Sequence, residues 1–408
     1  MKILHTADWH IGHSFYEYDR QKEHLYFFDW LKQQIGQWAI DVLLIAGDVF
    51  DSQNPSADSQ KMFYRFLKEA TTAYPTLQIV VIAGNHDSAG RLEAPNPLLE
   101  EMNITVRGLV TRNTAGVIDF DRFVVPLMQG DAVKAWCLAV PYLRQGDYPE
   151  HFDAAQSPHG DYAQGIANFY AAVYERIPDK SKPVIAMGHL HATGAALSVN
   201  DRFERVILGG LESISTDIFA KGIAYTALGH LHRAQNVGGS EKICYAGAPL
   251  PMSFAEKNNK QGVTLITTGE SSSDVQIERI LFDTPVKLLN IPREPQPLQE
   301  VLAAIQELPD GEIAVQSPFL EINVLLNEPE PALRHRIEDA LSGKSVRLAR
   351  IVAEYPQNTG TSTALNYEKF QSLQPVNLAM DVYQRQYSEE MPEALKKLLT
   401  HLISNLEQ

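Results

Sequence analysis

Cysteine is nearly absent: Cys137 and Cys244 are the two in 408 residues, and they form no CxxC pair. Neither a disulfide framework nor a thiolate zinc site is indicated, and a reduced, intracellular protein is expected. Long apolar runs are also missing. Val42-Leu43-Leu44-Ile45-Ala46 is one of the longest, far short of the ~20 residues that cross a bilayer. The N-terminus reaches Asp8 and His10 before any long apolar stretch, so no signal peptide is expected and a cytoplasmic location is the natural reading. Positive charge is in deficit, with 35 Lys+Arg against 50 Asp+Glu and a net charge of −15. That balance argues against a chain that coats nucleic acid by electrostatics alone. A hydrophobic content of 44% with 21% charged residues excludes a disordered or collagen-like chain. The length suggests two or three domains.

From residue 1 to about 285, short apolar runs alternate with longer amphipathic stretches. The runs are Lys2-Ile3-Leu4, Val42 to Ala46, Ile79 to Ala83, Val184 to Met187 and Tyr225 to Leu228. Continuous apolar strands of this kind belong in sheets buried on both faces. Helices are predicted over Gln21 to Trp38, with Leu25, Phe28, Leu31 and Ile35 on one face, and over Ser56 to Thr72. The reading is an α/β layered domain whose strands end in polar loops.

A break follows at Asp283-Thr284-Pro285. Strand, helix, strand, helix and strand are then predicted at Val286–Ile291, Pro297–Leu308, Phe319–Leu326, Pro331–Leu341 and Val346–Ala353, a small βαβαβ domain over 286–356. Residues 357–365 have linker composition. The tail from 366 to 408 reads as helical, with an apolar stripe at Leu395, Leu398, Leu399, Leu402, Ile403 and Leu406. Packing on its own domain and docking on a partner are equally compatible with that stripe.

Five strand ends carry polar clusters: Asp8-Trp9-His10; Gly47-Asp48-Val49-Phe50-Asp51; Gly84-Asn85-His86-Asp87; Gly188-His189-Leu190-His191; and Gly229-His230-Leu231-His232. Each alone is weak, since a Gly-Asp or Gly-His at a strand end is usually a turn. His5, His13, His24, His151, His159, His335 and His401 carry no such context and are read as structural or surface histidines. Five clusters in series, each after an apolar strand, are another matter, because open α/β sheets gather their sites at the carboxyl ends of strands. Glycine is expected wherever the backbone turns sharply. The candidate ligands are Asp8, His10, Asp48, Asn85, His189, His230 and His232. Carboxylate, amide and imidazole donors without thiolate suit Mn²⁺, Fe²⁺ or Zn²⁺, and seven donors exceed the need of one ion. Two ions sharing a carboxylate are the arrangement used to hydrolyse phosphate esters.

The motifs D-x-H, G-D-x-x-D, G-N-H-D, G-H and G-H-x-H resemble the metallophosphoesterase signature. The longer strings Ile3 to Gly12, Ala46 to Asp51 and Ala227 to Arg233 are similar to the SbcD family, the Mre-type DNA-repair nuclease subunits of bacterial SbcC–SbcD complexes. The resemblance implies a four-layer, calcineurin-like β-sandwich core flanked by helices over 1–285, with the small domain as a cap and the tail as partner-binding region. It implies that Asp8, His10, Asp48 and His232 hold one metal, and that Asp48, as bridge, holds the other with Asn85, His189 and His230. His189 is preferred over His191, because the pattern uses the histidine directly after glycine. His86 is then the group that faces the scissile phosphate, with Asp51 orienting its imidazole. The cofactor implied is a pair of divalent ions, with Mn²⁺ first and Mg²⁺, Fe²⁺ or Zn²⁺ as alternatives.

The activity implied is 3′→5′ exonuclease on double-stranded ends and endonuclease on single strands or hairpins. The partners implied are DNA and an SbcC-type ATPase whose coiled coil docks on the tail, including Phe370, Leu373, Leu395 and Leu402, with a homodimer inside a heterotetramer. Two rivals stand beside it: a phosphomonoesterase or cyclic-nucleotide phosphodiesterase with the same site, and a scaffold that has lost catalysis. Pro331 to Glu354 is locally basic through Arg334, Arg336, Lys344, Arg347 and Arg350, read as a solvated face or a DNA contact.

Overall fold

The computed structural model describes residues 1–144, 146–148, 160–195, 214–219, 221–271 and 274–355, with 383, 391, 392, 395 and 396. Met1–Glu354 forms one compact unit, and Tyr355–Gln408 groups by itself. Most of the predicted tail helix, with its docking residues Phe370, Leu373 and Leu402, lies outside the described residues, as do His151, His159 and His401. Among the described residues no helix is long and apolar enough to cross a membrane, and both cysteines are free and buried.

The chain order is β1 (Lys2–Thr6), α1 (Gln21–Trp38), β2 (Val42–Ala46), α2 (Ala57–Ala73), β3 (Gln78–Ile82), β4 (Ile104–Arg107), β5 (Val124–Gln129) and β6 (Ala132–Ala139). It continues with α3 (Gly160–Glu175), β7 (Val184–His189), β8 (Ile223–Gly229), β9 (Gln235–Val237), β10 (Ser240–Tyr245), β11 (Gly262–Thr268) and β12 (Val275–Leu281). Two six-stranded mixed sheets result, in the orders β12-β11-β1-β2-β3-β4 and β9-β10-β8-β7-β6-β5. Apolar side chains of β1, β2 and β3 meet those of β6, β7 and β8 in a core between the sheets, including Ile3, Leu44, Val80, Cys137, Ile185 and Ala227. The outer faces are covered by α1 and α2 on one side and α3 on the other. These are the four layers of a calcineurin-like fold. On α1 the buried stripe is Phe27, Phe28, Leu31 and Ile35, whereas Leu25, placed on that stripe by spacing, is 42% exposed.

β13 (Leu288–Pro297), α4 (Leu298–Gln306), β14 (Phe319–Leu325), α5 (Leu333–Ala340) and β15 (Arg347–Glu354) follow, and the three strands form a separate all-parallel sheet with its own core. The basic residues of this region are already engaged. Arg334 pairs with Glu338, Arg336 with Glu330, Lys344 with Asp310 and Arg350 with Glu321. Arg347 is buried with its guanidinium 3.8 Å from the Phe319 ring centroid.

Parallel pairing decides where the polar clusters go. β1, β2 and β3 run parallel as neighbours, and β7 and β8 run parallel with His189 opposite Gly229. Their carboxyl ends therefore carry successive clusters side by side. The loop after β1 is laid along the loop after β2 by main-chain bonds from Asp8 N to Gly47 O (3.0 Å), His10 N to Asp48 O (3.0 Å) and Ile11 N to Val49 O (2.9 Å). Between Asp8 and His10 the Trp9 side chain is driven inward. Its ring sits 5.0–6.1 Å from those of Phe27, Phe28, Phe63 and Phe66, and its indole N–H donates to Thr6 Oγ1 at 2.9 Å. Aromatic cages of this kind combine large apolar burial with defined edge-to-face geometry. Trp9→Ala is expected to cost about 3–5 kcal/mol in denaturant unfolding. A loss below about 1 kcal/mol would show that Trp9 does not anchor this loop.

Candidate metal centre

The five clusters converge. Asp8, His10 and His232 bring ligand atoms within 4.8 Å of one another, as do Asp8, Asp48 and His189, and His10, Asp51 and His86. Asn85 completes the second side, with its Oδ1 2.9 Å from His189 Nε2 and 3.1 Å from His230 Nδ1. Asp48 Oδ2 lies 3.6 Å from His10 Nε2 and 3.2 Å from His189 Nε2, so one carboxylate oxygen faces both histidines. Its other oxygen accepts the His86 N–H at 2.9 Å. Asp8, His10, Asp48 and His189 are at most 1% exposed, whereas Asn85, His86 and His230 are half-buried. The first four are walls and the last three form the accessible rim. His191 joins none of these groups.

The donor atoms converge at short range on one another. His189 Nδ1 donates to the Ala46 carbonyl at 2.9 Å, so a neutral His189 presents a bare lone pair at Nε2. That lone pair faces the oxygens of Asn85 and Asp48. His10 Nδ1 is directed at Asp51 Oδ1 at 3.2 Å, leaving Nε2 buried with no hydrogen-bond partner, and Asp8 Oδ2 is buried in the same condition. A carboxylate or carbonyl that fixes the far nitrogen of an imidazole is how metal-ligating histidines are oriented. Such a convergence of carboxylate, amide and imidazole groups calls for positive charge at its middle, and the mixed N/O donors fit divalent metal ions.

The electrostatics agree. Burial pushes the Asp8 carboxyl up. Burial would also raise Asp48, but the imidazoles of His189, His10 and His86 hold it well below the usual carboxylate range. His189 is raised to about 9, because its desolvation is outweighed by the carboxylates of Asp48 and Asp8. The cage thus draws positive charge onto its own histidine.

Local structure departs from the sequence reading in three respects. Left-handed backbone is found at the candidate ligands themselves, Asp8 (φ 55°), His10 (44°), Asp48 (47°) and His230 (103°), a strained conformation for such residues. Of the motif glycines, Gly47 has positive φ (88°), but Gly84 and Gly229 do not. They are glycine for lack of room: a Cβ on Gly84 would collide with Asp48, and one on Gly229 with the Ala46 carbonyl of the opposite sheet. Third, Asp51 meets His86 through its main-chain carbonyl, which accepts from His86 Nδ1 at 3.0 Å, while its carboxylate faces His10.

Sequence reasoning also missed three neighbours. Asp87 is fully buried and accepts from Val49 N, Phe50 N and Gly84 N at 3.1, 3.0 and 2.9 Å, tying the loops after β2 and β3 together. Burial beside Asp48 raises it to about 6. Glu256 is buried with Oε1 3.5 Å from His232 Nδ1. Tyr142 sets its ring edge-on to His189 at 6.3 Å. Asp87 had a signal in the Gly-Asn-His-Asp string, whereas Glu256, at the end of a one-turn 3-10 helix, and Tyr142, in a loop, lie outside any motif.

The fold and this centre define a calcineurin-like phosphoesterase, and a family model of that description matches residues 1–234. A second model, the type 5 capsule protein repressor C-terminal domain, matches residues 284–387. The chain is 35% identical over 371 residues to the SbcD subunit of nuclease SbcCD from Rhodobacter capsulatus, covering 89% of this chain and 90% of that protein. The protein of the same description from Escherichia coli K12 is 28% identical over 99% of this chain and 97% of its own length. That from Bacillus subtilis 168 is 31% identical over 65% of this chain and 66% of its own. The chain belongs to the SbcD family of SbcCD nuclease subunits, within the calcineurin-like phosphoesterases.

Metal should stabilise the fold. Adding Mn²⁺ to chelator-stripped protein at a hundred times its Kd is expected to contribute about 2.7 kcal/mol, read as a higher midpoint in thermal unfolding. A melting curve indifferent to every divalent ion would overturn the centre. Gly84→Ala, by displacing Asp48, is expected to weaken Mn²⁺ binding about 10–100-fold in a calorimetric titration.

Proposed function

We propose that this chain is the nuclease subunit of an SbcC–SbcD-type complex and hydrolyses DNA phosphodiesters, as a 3′→5′ exonuclease on double-stranded ends and an endonuclease on single strands and hairpins. The observation that carries the reading is the buried convergence of acceptors from five strand ends with one half-buried imidazole, His86, beside it. Asp8, His10, Asp48 and His232 would hold one ion and Asp48, Asn85, His189 and His230 the other, with Mn²⁺ favoured by the N/O donor set. Bound there, two divalent ions supply Lewis-acid charge to phosphoryl oxygens and lower the pKa of water.

The protein's own part is positional and protonic. The walls fix the donors, so no reorganisation is required as charge develops on the phosphoryl group. His86 is held by its Nδ1 to the Asp51 carbonyl, which keeps Nε2 as the working nitrogen. Protonated, that Nε2 gives its proton to the leaving oxygen as the ester bond breaks, and afterwards the neutral ring takes a proton from water. Carboxylates would repel a phosphodiester without the ions, which ties substrate binding to metal loading. The site works in the cytoplasm, with DNA as substrate. The full assembly is a homodimer joined to an ATPase of the SbcC type, whose coiled coil docks on residues from Asn366 onward.

His86→Ala and Asp48→Ala are each expected to reduce Mn²⁺-dependent cleavage of labelled duplex DNA by at least about 10²-fold. Undiminished cleavage by both would overturn the site, and faster turnover of a chromogenic phosphomonoester than of DNA would favour the phosphatase reading. Deletion from Asn366 should abolish co-purification with the ATPase.

A further inference from the structure

A groove of about 930 Å³ lies beside the metal centre. It runs along the edges of both sheets, lined by β9 and β10 on one side and β12 on the other, with Arg233, Lys260 and Arg279 among its walls and Glu241 as its one acidic residue. One end is joined to the centre through the chain: Arg233 follows His232, and Ala255, also in the lining, precedes Glu256, which stands beside His232.

Three features mark the groove as a site for an anion. Arg233 and Lys260 are exposed and, among the described residues, have no carboxylate partner, unlike the basic residues of 331–354, which are taken up within the chain. Arg279 lies at the floor. Its Nη1 donates to Thr264 Oγ1 at 3.1 Å and its Nη2 to Ala246 O and Gly262 O at 2.6 and 3.1 Å. Every one of these acceptors is neutral, so a fixed, half-buried guanidinium is held without a carboxylate partner among the described residues, which is costly unless something supplies one. The groove is also mechanically joined to the centre. Arg279 grips the Ala246 carbonyl, and two residues on, Ala248 N–H donates to the His232 carbonyl at 3.0 Å.

We propose that this groove holds the phosphates of the DNA strand that continues beyond the scissile phosphodiester, with Arg233 and Lys260 as the contacting cations and Arg279 as the fixed charge beneath them. This rests on the nuclease reading above and adds the path of the strand. Cations that track a backbone, with amide side chains such as Asn236, Asn258 and Asn259 beside them, suit a single strand bound without regard to base sequence. The groove offers no exposed aromatic platform, so base stacking plays no part.

The test uses the full chain with Mn²⁺ and the exposed pair Arg233→Gln/Lys260→Gln, whose loss disturbs no buried contact. Anisotropy of a labelled single-stranded oligonucleotide is expected to show about tenfold weaker binding, with a salt slope shallower by about 1.4, the value for two lost phosphate contacts. The ratio of kcat/KM for the oligonucleotide to that for bis(p-nitrophenyl) phosphate, a diester with no strand to lay in the groove, should fall by a similar factor. Arg233→Lys/Lys260→Arg should restore both. An unchanged salt slope and ratio would overturn the groove while leaving the nuclease reading intact. A wild-type protein that hydrolyses neither substrate would overturn the nuclease reading itself.

Discussion

Two carboxylates, Asp8 and Asp48, are buried within one cage, and the rest of the molecule is arranged around that difficulty. Removing a single carboxylate from water costs several kcal/mol, and a second beside it adds repulsion. Hydrogen bonds meet part of the cost: Asp48 Oδ1 accepts from His86 N–H and Asp8 Oδ1 from His230 N–H, each at 2.9 Å. Both bonds come from loops on other strands, so each carboxylate depends on the closure of the whole set of strand ends. The remaining demand is for positive charge, and divalent ions meet it. Strained left-handed backbone at Asp8, His10, Asp48 and His230, at about 1–3 kcal/mol each, persists because parallel pairing on either side over-determines the loops.

The same demand explains the contact between the sheets. Sheets normally pack about 10 Å apart, too far for a histidine of one to bond the backbone of the other with its ligand nitrogen still free. Here Ala7, Ala46 and Gly229 bring the strand ends close enough for His189 Nδ1 to reach the Ala46 carbonyl. Small residues at these positions are therefore part of the centre. Trp9 acts from the opposite direction: a large ring sunk in a phenylalanine cage pins the two residues beside it, although it is itself no candidate ligand.

Much of this was legible from residue order. Apolar runs located the five strands that matter, and polar clusters after them located the centre, because strand polarity is shared within a parallel sheet and its carboxyl ends must lie together. The parts that escaped are those set by three-dimensional contact. β12 alternates half-buried and exposed positions weakly, in Gln276-Ile277-Glu278-Arg279-Ile280, and β9 has three residues, too few for a period. Glycine at 84 and 229 was legible as a signal and misread in cause, since φ and Cβ clearance leave the same letter in a sequence. The basic character of 331–354 was real, but its partners Asp310, Glu321 and Glu330 lie outside or at the margin of the stretch and neutralise it.

The net charge of −15 sets the scale of what this chain does by itself. Screening limits electrostatic influence to about 8 Å at physiological ionic strength, so a groove with three cations and one acid feels its own walls more than the remote acidic surface. Three cations, however, engage few phosphates. Affinity gained by counterion release grows with each phosphate neutralised, and an acidic surface beyond the groove adds nothing to it. A chain of this charge can orient a strand at its centre but holds it briefly. Retention of DNA long enough for repeated cleavage must then come from another subunit, and the acidic balance is the physical reason that a nuclease of this kind works as part of a complex.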